Sequence, residues 1–230
     1  MTTECKGEVK ILDNPPESVD WVDKAVGPIR NQGACGSCWA FSACGSLEGL
    51  AALKTGNIPV FSPQQLVDCA GGPYENEGCS GGYMDTALMY VIDNGIALDS
   101  KYPYRAKNQK CAYKSTMKAF SISNCAEVPA NKTIALQSAV AAQPVSISVE
   151  ADSLGFQFYS KGVFSGKCGT DLDHGIVLTG YGSLDGKDFW KCKNSWGTDW
   201  GMNGYILIVR TPDEGPGKCG ILMENVVPFA

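Results

Sequence analysis

The sequence Gln32-Gly33-Ala34-Cys35-Gly36-Ser37-Cys38-Trp39-Ala40-Phe41 leads from a polar, glycine-containing loop into residues 39–53, where apolar side chains recur at helical spacing. The pattern predicts a helix with Cys38 at its N-terminus. Free backbone amides and the positive end of the helix dipole stabilise an anion there, which lowers the pKa of a thiol. Because thiolate rather than thiol attacks, the stretch predicts a nucleophilic cysteine.

Cys35 and Cys38 could instead form a redox dithiol or one half of a zinc knuckle. A redox pair of this spacing follows a strand in a β-α-β unit, and the preceding residues show no such unit. A zinc knuckle needs a second pair at similar spacing, and the sequence has no other Cys-x-x-Cys. The pattern therefore favours a nucleophile, and we expect neither a metal ion nor a cofactor.

The composition is that of a globular protein with one large domain or two small ones. The chain has 230 residues, of which 44% are hydrophobic, and a net charge of −5. It shows no Lys/Arg cluster for nucleic acid or an anionic membrane, and no apolar run near the ~18 residues of a membrane span. Eleven cysteines indicate an oxidising compartment, and their odd number leaves at least one thiol unpaired within the chain.

The pattern along the chain places helices first and strands later, which predicts an α+β fold with two subdomains. An extended arm over residues 1–20 precedes the helices. The predicted helices run from Cys38 to near Gly56, from Ser62-Pro63 onward, over residues 83–93 and over residues 131–142. The predicted strands are residues 145–149, 175–179, 189–193 and 205–209. Residues 71–82 predict a loop without regular structure, and residues 96–120 look irregular.

The only histidine, His174, lies in Leu172-Asp173-His174-Gly175, and Asn194 lies in Asn194-Ser195-Trp196-Gly197. A lone histidine is more often structural than catalytic. However, one known cysteine-nucleophile signature places a histidine and an asparagine about 130–150 residues downstream of Cys-Gly-Ser-Cys-Trp. Both residues lie near that spacing here, each in a distinctive local sequence.

From about residue 14 to the C-terminus, the chain resembles the papain-like cysteine proteases, and most of all their cathepsin L-type branch. The resemblance rests on Gln32, on the Cys38 motif, on Gly78-Cys79-Ser80-Gly81-Gly82 and on the His174 and Asn194 motifs. It implies one catalytic domain over residues 1–230, in its mature form. A helical left subdomain is expected at 24–126 plus 227–230, and an antiparallel β-barrel-like right subdomain at 1–23 plus 127–226. The active-site cleft would lie between them.

The resemblance also implies catalytic roles. Cys38 would be the nucleophile, His174 its proton partner and Asn194 the group that orients the imidazole. Trp196 would shield the bond between His174 and Asn194 from water. The side-chain amide of Gln32 and the backbone N–H of Cys38 would form the oxyanion hole.

The substrate-binding residues are also implied by the resemblance. They are Gly81, Gly82, Tyr83, Met84, Ser148, Leu172, Asp173, Gly175, Trp196 and Glu224. Gly82 would pair with the substrate backbone, although Gly81-Gly82 could also serve only as a turn. Glu224 would let the pocket for the second residue before the cut accept arginine as well as apolar side chains, although it could simply face solvent.

Three disulfides are implied by the resemblance: Cys35–Cys79, Cys69–Cys111 and Cys168–Cys219. Some similar mite proteases also tie an N-terminal cysteine to a downstream one, so we hypothesise a fourth bridge, Cys5–Cys125. Alternatively, Cys5 is a free thiol or pairs between chains. Cys44 and Cys192 are expected to be buried thiols that pack as small apolar residues.

The implied partners are protein and peptide substrates and cystatin-type or pro-segment inhibitors, with no nucleic acid and no membrane. We expect a monomer in a lysosome or vacuole, or secreted. The short stretch 71–78 shows no insertion that would cap the cleft, which favours an endopeptidase. The rival hypothesis is a lectin-like or inhibitory homologue that binds peptides without cleaving them, but such proteins usually lose the nucleophile, the histidine or the glutamine. Asn131-Lys132-Thr133 is an N-glycosylation sequon that could also be a helix cap.

Overall fold

A computed structural model describes residue 2 and residues 4–230. Residues 1 and 3, which fall in the expected range 1–23, lie outside the described residues. The α-helices of the described chain are α1 (Val22–Ala25), α2 (Cys38–Thr55), α3 (Pro63–Cys69), α4 (Met84–Asn94), α5 (Thr133–Ala142) and α6 (Leu154–Gln157). Its strands are β1 (Val19–Asp20), β2 (Ile96–Ala97), β3 (Lys118–Phe120), β4 (Asn124–Glu127), β5 (Val145–Val149), β6 (Val163–Phe164), β7 (His174–Leu184), β8 (Lys187–Lys193), β9 (Tyr205–Val209) and β10 (Asn225–Phe229).

The first three long helices begin and end where local signals place them. α2 begins at Cys38 and ends at Gly56, which takes the left-handed conformation (φ 76°) that glycine adopts without strain. The hydroxyl of Ser62 accepts a hydrogen bond from the backbone N–H of Gln65 and caps α3. α4 ends before Gly95. The predictions for these helices are confirmed.

Two stretches that the sequence predicts to be irregular contain short regular elements. Residues 71–82 hold two single-turn 3₁₀ helices, Gly72–Tyr74 and Gly78–Ser80. Within residues 96–120, β2 and β3 pair as a two-stranded antiparallel ribbon. The ribbon partners lie about twenty residues apart, so their pairing depends on the tertiary fold rather than on a local pattern.

The start of α5 also differs from the prediction. Asn131 has a φ of 60° and lies before the helix, which begins at Thr133 and has no side-chain cap. The hydroxyl of Thr133 donates instead to the carbonyl oxygen of Thr211, at 3.1 Å. The prediction of an asparagine or threonine cap here is therefore wrong.

Within the part of the chain that the structure describes, the main sheet has eight strands, of which seven follow the order β4-β10-β5-β7-β8-β9-β6, while β1 pairs with β7. All pairs are antiparallel except β6 with β9. The predicted strands at residues 145–149 and 205–209 are β5 and β9, and those at residues 175–179 and 189–193 are the middle and end of the longer β7 and β8. β4 and β10 were not predicted, in part because Pro228 argues against a strand.

Helices and sheet are segregated around two hydrophobic cores. One core joins α2, α3 and α4, and the other lies between the main sheet and α5 and α6. Gly45 lets α2 approach β7 closely, since an added Cβ there would lie 2.4 Å from Val177 Cγ2. This arrangement confirms the α+β prediction, and it brings the N-terminus of α2 against the start of β7.

Four disulfides connect the chain, and they join the pairs named in the sequence analysis: Cys5–Cys125, Cys35–Cys79, Cys69–Cys111 and Cys168–Cys219. The N-terminal arm also hydrogen-bonds to the sheet, from Gly7 N–H to the carbonyl oxygen of Cys125 at 2.8 Å. Cys44 and Cys192 are buried free thiols, whereas the free thiol of Cys38 is partly exposed. None of the described helices is both long and apolar enough to cross a bilayer.

Candidate active site

A cleft of about 980 Å³ runs between the helical part of the chain and the sheet. Cys38, at the first position of α2, and His174, at the first position of β7, both line it. Most of the expected substrate-binding residues line it too: Gly81, Gly82, Tyr83, Met84, Ser148, Leu172, Asp173, Gly175 and Glu224. Trp196 is outside this lining and packs on the imidazole of His174, with ring centroids 4.7 Å apart.

The thiol of Cys38 interacts with the imidazole of His174, which lines the same cleft. Burial alone would raise the pKa of this thiol, but the hydrogen bond and charge of His174 outweigh burial, with help from the backbone N–H groups of Gly175 and Trp39. The pKa of Cys38 is therefore lowered from the ordinary thiol value. The position at the start of α2 contributes because the first N–H groups of a helix have no partner within the helix.

The imidazole shows the opposite shift. Burial alone would lower the pKa of His174, but the hydrogen bond and charge of Cys38, the hydrogen bond to Asn194 and the charge of Asp173 outweigh it and raise that pKa. A lowered thiol pKa beside a raised imidazole pKa favours a thiolate–imidazolium pair. Such a pair is a nucleophile and a proton donor held side by side.

Asn194 orients the ring of His174. Nε2 of His174 lies 2.8 Å from Oδ1 of Asn194, which leaves the other ring nitrogen for the thiol. Asn194 is 2% exposed and His174 is 8% exposed, so water has little access to this hydrogen bond. Trp196 covers the imidazole from one side. A buried, shielded hydrogen bond is stronger than one exposed to water.

Gln32 lies beside the pair because its segment runs alongside the Asn194 motif. The backbone N–H of Gln32 donates to the carbonyl oxygen of Ser195 at 2.8 Å. The hydroxyl of Ser195 donates to Oε1 of Gln32 at 2.7 Å, and Nε2 of Gln32 donates to the carbonyl oxygen of Cys35 at 3.0 Å. These contacts fix which end of the amide is oxygen, and they leave one N–H of Nε2 for another acceptor.

The expected pocket combines an apolar wall with a carboxylate. Tyr83 is 60% exposed, and Met84 lies below it at the first position of α4. Gly82 lies directly on Trp39, since an added Cβ would be 2.7 Å from that ring. Glu224 is exposed on the opposite wall, where its carbonyl oxygen accepts the N–H of Ser148 at 3.0 Å.

Sequence reasoning missed two groups of residues at the site. Val128, Pro129, Ala130 and Met223 also line the cleft, and they lie just after β4 and just before β10, which are among the strands that were not predicted. The hydroxyl groups of Ser195 and Tyr104 hydrogen-bond to Gln32, and that of Ser37 hydrogen-bonds to Tyr104. Ser195 adjoins Asn194 in its motif, whereas no motif marks Tyr104.

A buried ion pair lies behind the site. Nζ of Lys193, the residue before Asn194, lies 3.9 Å from Oε2 of Glu48 on α2. Lys193 also donates to the carbonyl oxygen of Gly27 at 2.9 Å, and Glu48 accepts the N–H of Phe61 at 3.0 Å. Burial raises the pKa of Glu48 and lowers the pKa of Lys193, each against the opposing charge of its partner. The pair joins α2 to the end of β8.

With this geometry in view, the chain can be compared with known proteins. Residues 15–229 match the family described as papain family cysteine protease. The chain therefore belongs to the papain family, and the resemblance drawn from its motifs is confirmed. It is 49% identical to the cysteine endopeptidase RepA of Oryza sativa subsp. japonica, over 221 residues that cover 94% of this chain and 58% of RepA. The chain spans about half to three fifths of the length of the curated relatives it matches.

Solved structures agree on the fold. The Carica candamarcensis cysteine protease CMS1MS2 in complex with E-64 has a TM-score of 0.86 and 42% identity, and the match covers 93% of this chain and 98% of that chain. Digestive procathepsin L 3 of Tenebrio molitor larval midgut has a TM-score of 0.91 and 37% identity, over 99% of this chain and 75% of that chain. The predicted papain-like fold is confirmed.

Proposed function

We propose that the protein is a cysteine endopeptidase in which Cys38 attacks the peptide carbonyl, assisted by His174 and Asn194. One observation carries the proposal. A partly exposed thiol with a lowered pKa and an imidazole held by a buried asparagine both line a substrate-sized cleft. Family membership and the name of the endopeptidase RepA support the same reaction.

In the first step, the Cys38 thiolate forms a bond to the carbonyl carbon of the substrate. The carbonyl π electrons move to oxygen, and this oxyanion accepts hydrogen bonds from the Gln32 amide and the backbone N–H of Cys38. One such donor is typically worth about 2.7–4 kcal/mol. When the carbonyl reforms, the C–N bond breaks and His174 gives its proton to the leaving amine. The product is a thioester on Cys38.

In the second step, water replaces the amine. His174 takes a proton from the water as its oxygen bonds to the thioester carbon, through a second oxyanion in the same hole. The carbon–sulfur bond then breaks and releases the carboxylic acid. The Cys38 thiolate and the protonated His174 are restored, so no external acid, base or oxidant is consumed.

The cleft also supports a preference for the second residue before the cut. Tyr83, Met84 and Leu172 offer apolar surface for leucine or phenylalanine. Glu224 lines the same cleft, so an arginine could pack its stem on that surface and pair its guanidinium with the carboxylate. Gly81 and Gly82 leave backbone accessible for a substrate strand, with Ser148, Asp173 and Gly175 on the facing wall.

Partners and location follow from the class of enzyme. Protein and peptide substrates are proposed, with pro-segment or cystatin-type inhibitors that occupy the same cleft, and a monomer as the working unit. The four disulfides suit a vacuole, a lysosome or a secreted setting.

The deciding experiment follows cleavage of an internally quenched peptide, blocked at both ends, under mild reduction. We expect the native protein to cleave the peptide and E-64 to abolish this cleavage. In Cys38→Ala, the turnover rate should fall by at least about 10³-fold. Cys38→Ala should still bind the peptide, as measured by fluorescence anisotropy. Native protein that binds the peptide without cleaving it would instead support the rival hypothesis of a non-catalytic homologue. Equal turnover by Cys38→Ala would reject the proposal.

A further inference from the structure

Tyr104 connects two parts of the site through one hydroxyl group. Its O–H donates to the carbonyl oxygen of Gln32 at 2.7 Å. The hydroxyl oxygen of Tyr104 also lies 2.6 Å from the hydroxyl of Ser37, the residue before Cys38. Because the single proton of Tyr104 is directed to Gln32, Ser37 is the donor in the second bond.

The Ser37 hydroxyl has few alternatives. Ser37 is fully buried, and a buried hydroxyl needs a partner. Ser37 precedes α2 at the capping position, yet its side chain makes no cap hydrogen bond. Its other acceptor is the carbonyl oxygen of Cys35, at a longer 3.4 Å.

The carbonyl oxygen of Cys35 is also the acceptor that holds the side-chain amide of Gln32. The carbonyl oxygen of Cys35 already accepts Nε2 of Gln32 at 3.0 Å and the backbone N–H of Ser37 at 2.8 Å. A carbonyl oxygen has two lone pairs, so these donors fill it. A Ser37 hydroxyl released from Tyr104 would compete with Gln32 for this oxygen.

We propose that Tyr104 is a positioning residue for the oxyanion hole. It holds the backbone of Gln32 directly, and it keeps the Ser37 hydroxyl away from the carbonyl that orients the Gln32 amide. Tyr104 does not line the cleft, so it acts through Gln32 rather than on substrate. This inference rests on the proposed function, since it assigns a purpose to the Gln32 amide.

Tyr104→Phe tests the role with little change in packing, because the ring is held edge-on against Phe41 with centroids 4.8 Å apart. The substitution should affect the rate of peptide hydrolysis but not the rate of Cys38 alkylation. Peptide hydrolysis needs the oxyanion hole, and we expect its kcat to fall about tenfold with KM little changed. Alkylation of Cys38 by iodoacetamide needs only the thiolate, so its rate and pH profile should stay within about twofold of native. The charged or titratable groups acting on that thiolate are His174, with Asp173 behind it, and the phenol of Tyr104.

Tyr102→Phe is the matched control. The Tyr102 hydroxyl also makes two hydrogen bonds, to Asp68 at 2.9 Å and from the N–H of Ala112 at 3.0 Å, but none to the site. The Tyr102→Phe variant should lose about as much thermal stability as Tyr104→Phe, but its kcat should stay at the native value. A fall in kcat as large as that of Tyr104→Phe would show a merely structural effect and overturn the inference.

Ser37→Ala supplies the second test, because it removes the competing hydroxyl. In the Tyr104→Phe background it should raise kcat severalfold, back toward native. A double variant no faster than Tyr104→Phe, or equal losses of hydrolysis and alkylation in Tyr104→Phe, would overturn the inference. Gln32→Ala distinguishes a failure of the inference about Tyr104 from a failure of the proposed oxyanion hole. If it lowers kcat but Tyr104→Phe does not, only the inference fails, and if Gln32→Ala leaves kcat unchanged, the proposed oxyanion hole fails as well.

Discussion

Oδ1 of Asn194 lies 2.8 Å from Nε2 of His174, and the same oxygen lies 2.8 Å from the backbone nitrogen of Ser195. Two donors on one side-chain oxygen leave the asparagine amide a single orientation. That orientation fixes the rotation of the imidazole ring and so directs its other nitrogen to Cys38. Among the described residues, no other side chain or backbone group besides the Asn194 amide forms a hydrogen bond that would set the rotation of the ring.

Asn194→Ala should therefore lower kcat by about 100-fold, since a misplacement of about 1 Å has an effect of that size. KM should change little, because Asn194 does not line the cleft. Steady-state hydrolysis of a fluorogenic peptide measures both constants. Native kcat in Asn194→Ala would show that Trp196 and the surrounding core orient the imidazole without the amide.

Iodoacetamide should label Cys38 before the other free thiols, Cys44 and Cys192. Burial raises the pKa of both of those thiols, whereas the pKa of Cys38 is lowered. The rate of labelling at Cys38 should rise with pH well below the ordinary thiol pKa. In His174→Ala, the rise of the labelling rate with pH should move to higher pH. The imidazole that counteracts the effect of burial on the Cys38 pKa is then absent. A rise at unchanged pH, measured by mass spectrometry of the labelled peptide, would contradict the ion pair.

Glu224→Gln should slow cleavage of peptides with arginine at the second residue before the cut by about tenfold, because an ion pair becomes a hydrogen bond between the guanidinium and a neutral amide. Leucine peptides should be cut at the native rate. Glu127→Gln is the matched control, as Glu127 is another carboxylate of the same cleft. Equal effects on the arginine and leucine peptides, or no cleavage of arginine peptides by the native protein, would remove Glu224 from the pocket.

Lys193→Met should lower the free energy of unfolding by about 3–5 kcal/mol, because it leaves the carboxylate of Glu48 buried without its partner. Lys193→Met/Glu48→Gln should be less destabilised. Burial raises the folded-state pKa of Glu48, so the loss in Lys193→Met should be small below the ordinary carboxyl pKa and should grow as pH rises through the raised value. Urea unfolding in a Cys38→Ala background avoids self-digestion. A loss independent of pH would contradict this account.

Cys5→Ser/Cys125→Ser should lower the free energy of unfolding by about 2–4 kcal/mol, since a bridge spanning 120 residues restrains the unfolded chain. Turnover should stay near native, because neither cysteine lines the cleft. Non-reducing peptide mapping provides the direct check. A Cys5 that alkylates without prior reduction would reject the bridge.

Local sequence patterns predict the helices but not all strands of the sheet. Gly56, Ser62 and Gly95 mark helix ends through capping interactions that act within a few residues, so the sequence predicts α2, α3 and α4 closely. β4 and β10 are defined by their pairing with each other, between segments far apart in the sequence. No local pattern predicts such pairing.

The same distinction applies to the site. The motifs around Cys38, His174 and Asn194 predict the reacting groups because each type of chemistry needs its own residue in a recognisable sequence. Tyr104 reaches the site only through the tertiary fold, so nothing near it in the sequence marks it.

The close approach of α2 to β7 has a consequence for how this sequence can change over time. Gly45 and Cys38 share one helix, and Val177 and His174 share one strand, so the spacer between helix and strand is also the spacer between sulfur and imidazole. A methyl group on Gly45, 2.4 Å from Val177 Cγ2, would push the two elements apart. A larger side chain at position 45, two turns from Cys38, is therefore expected to move the sulfur away from the imidazole, and we expect a descendant with Gly45→Ala to need a smaller side chain at position 177.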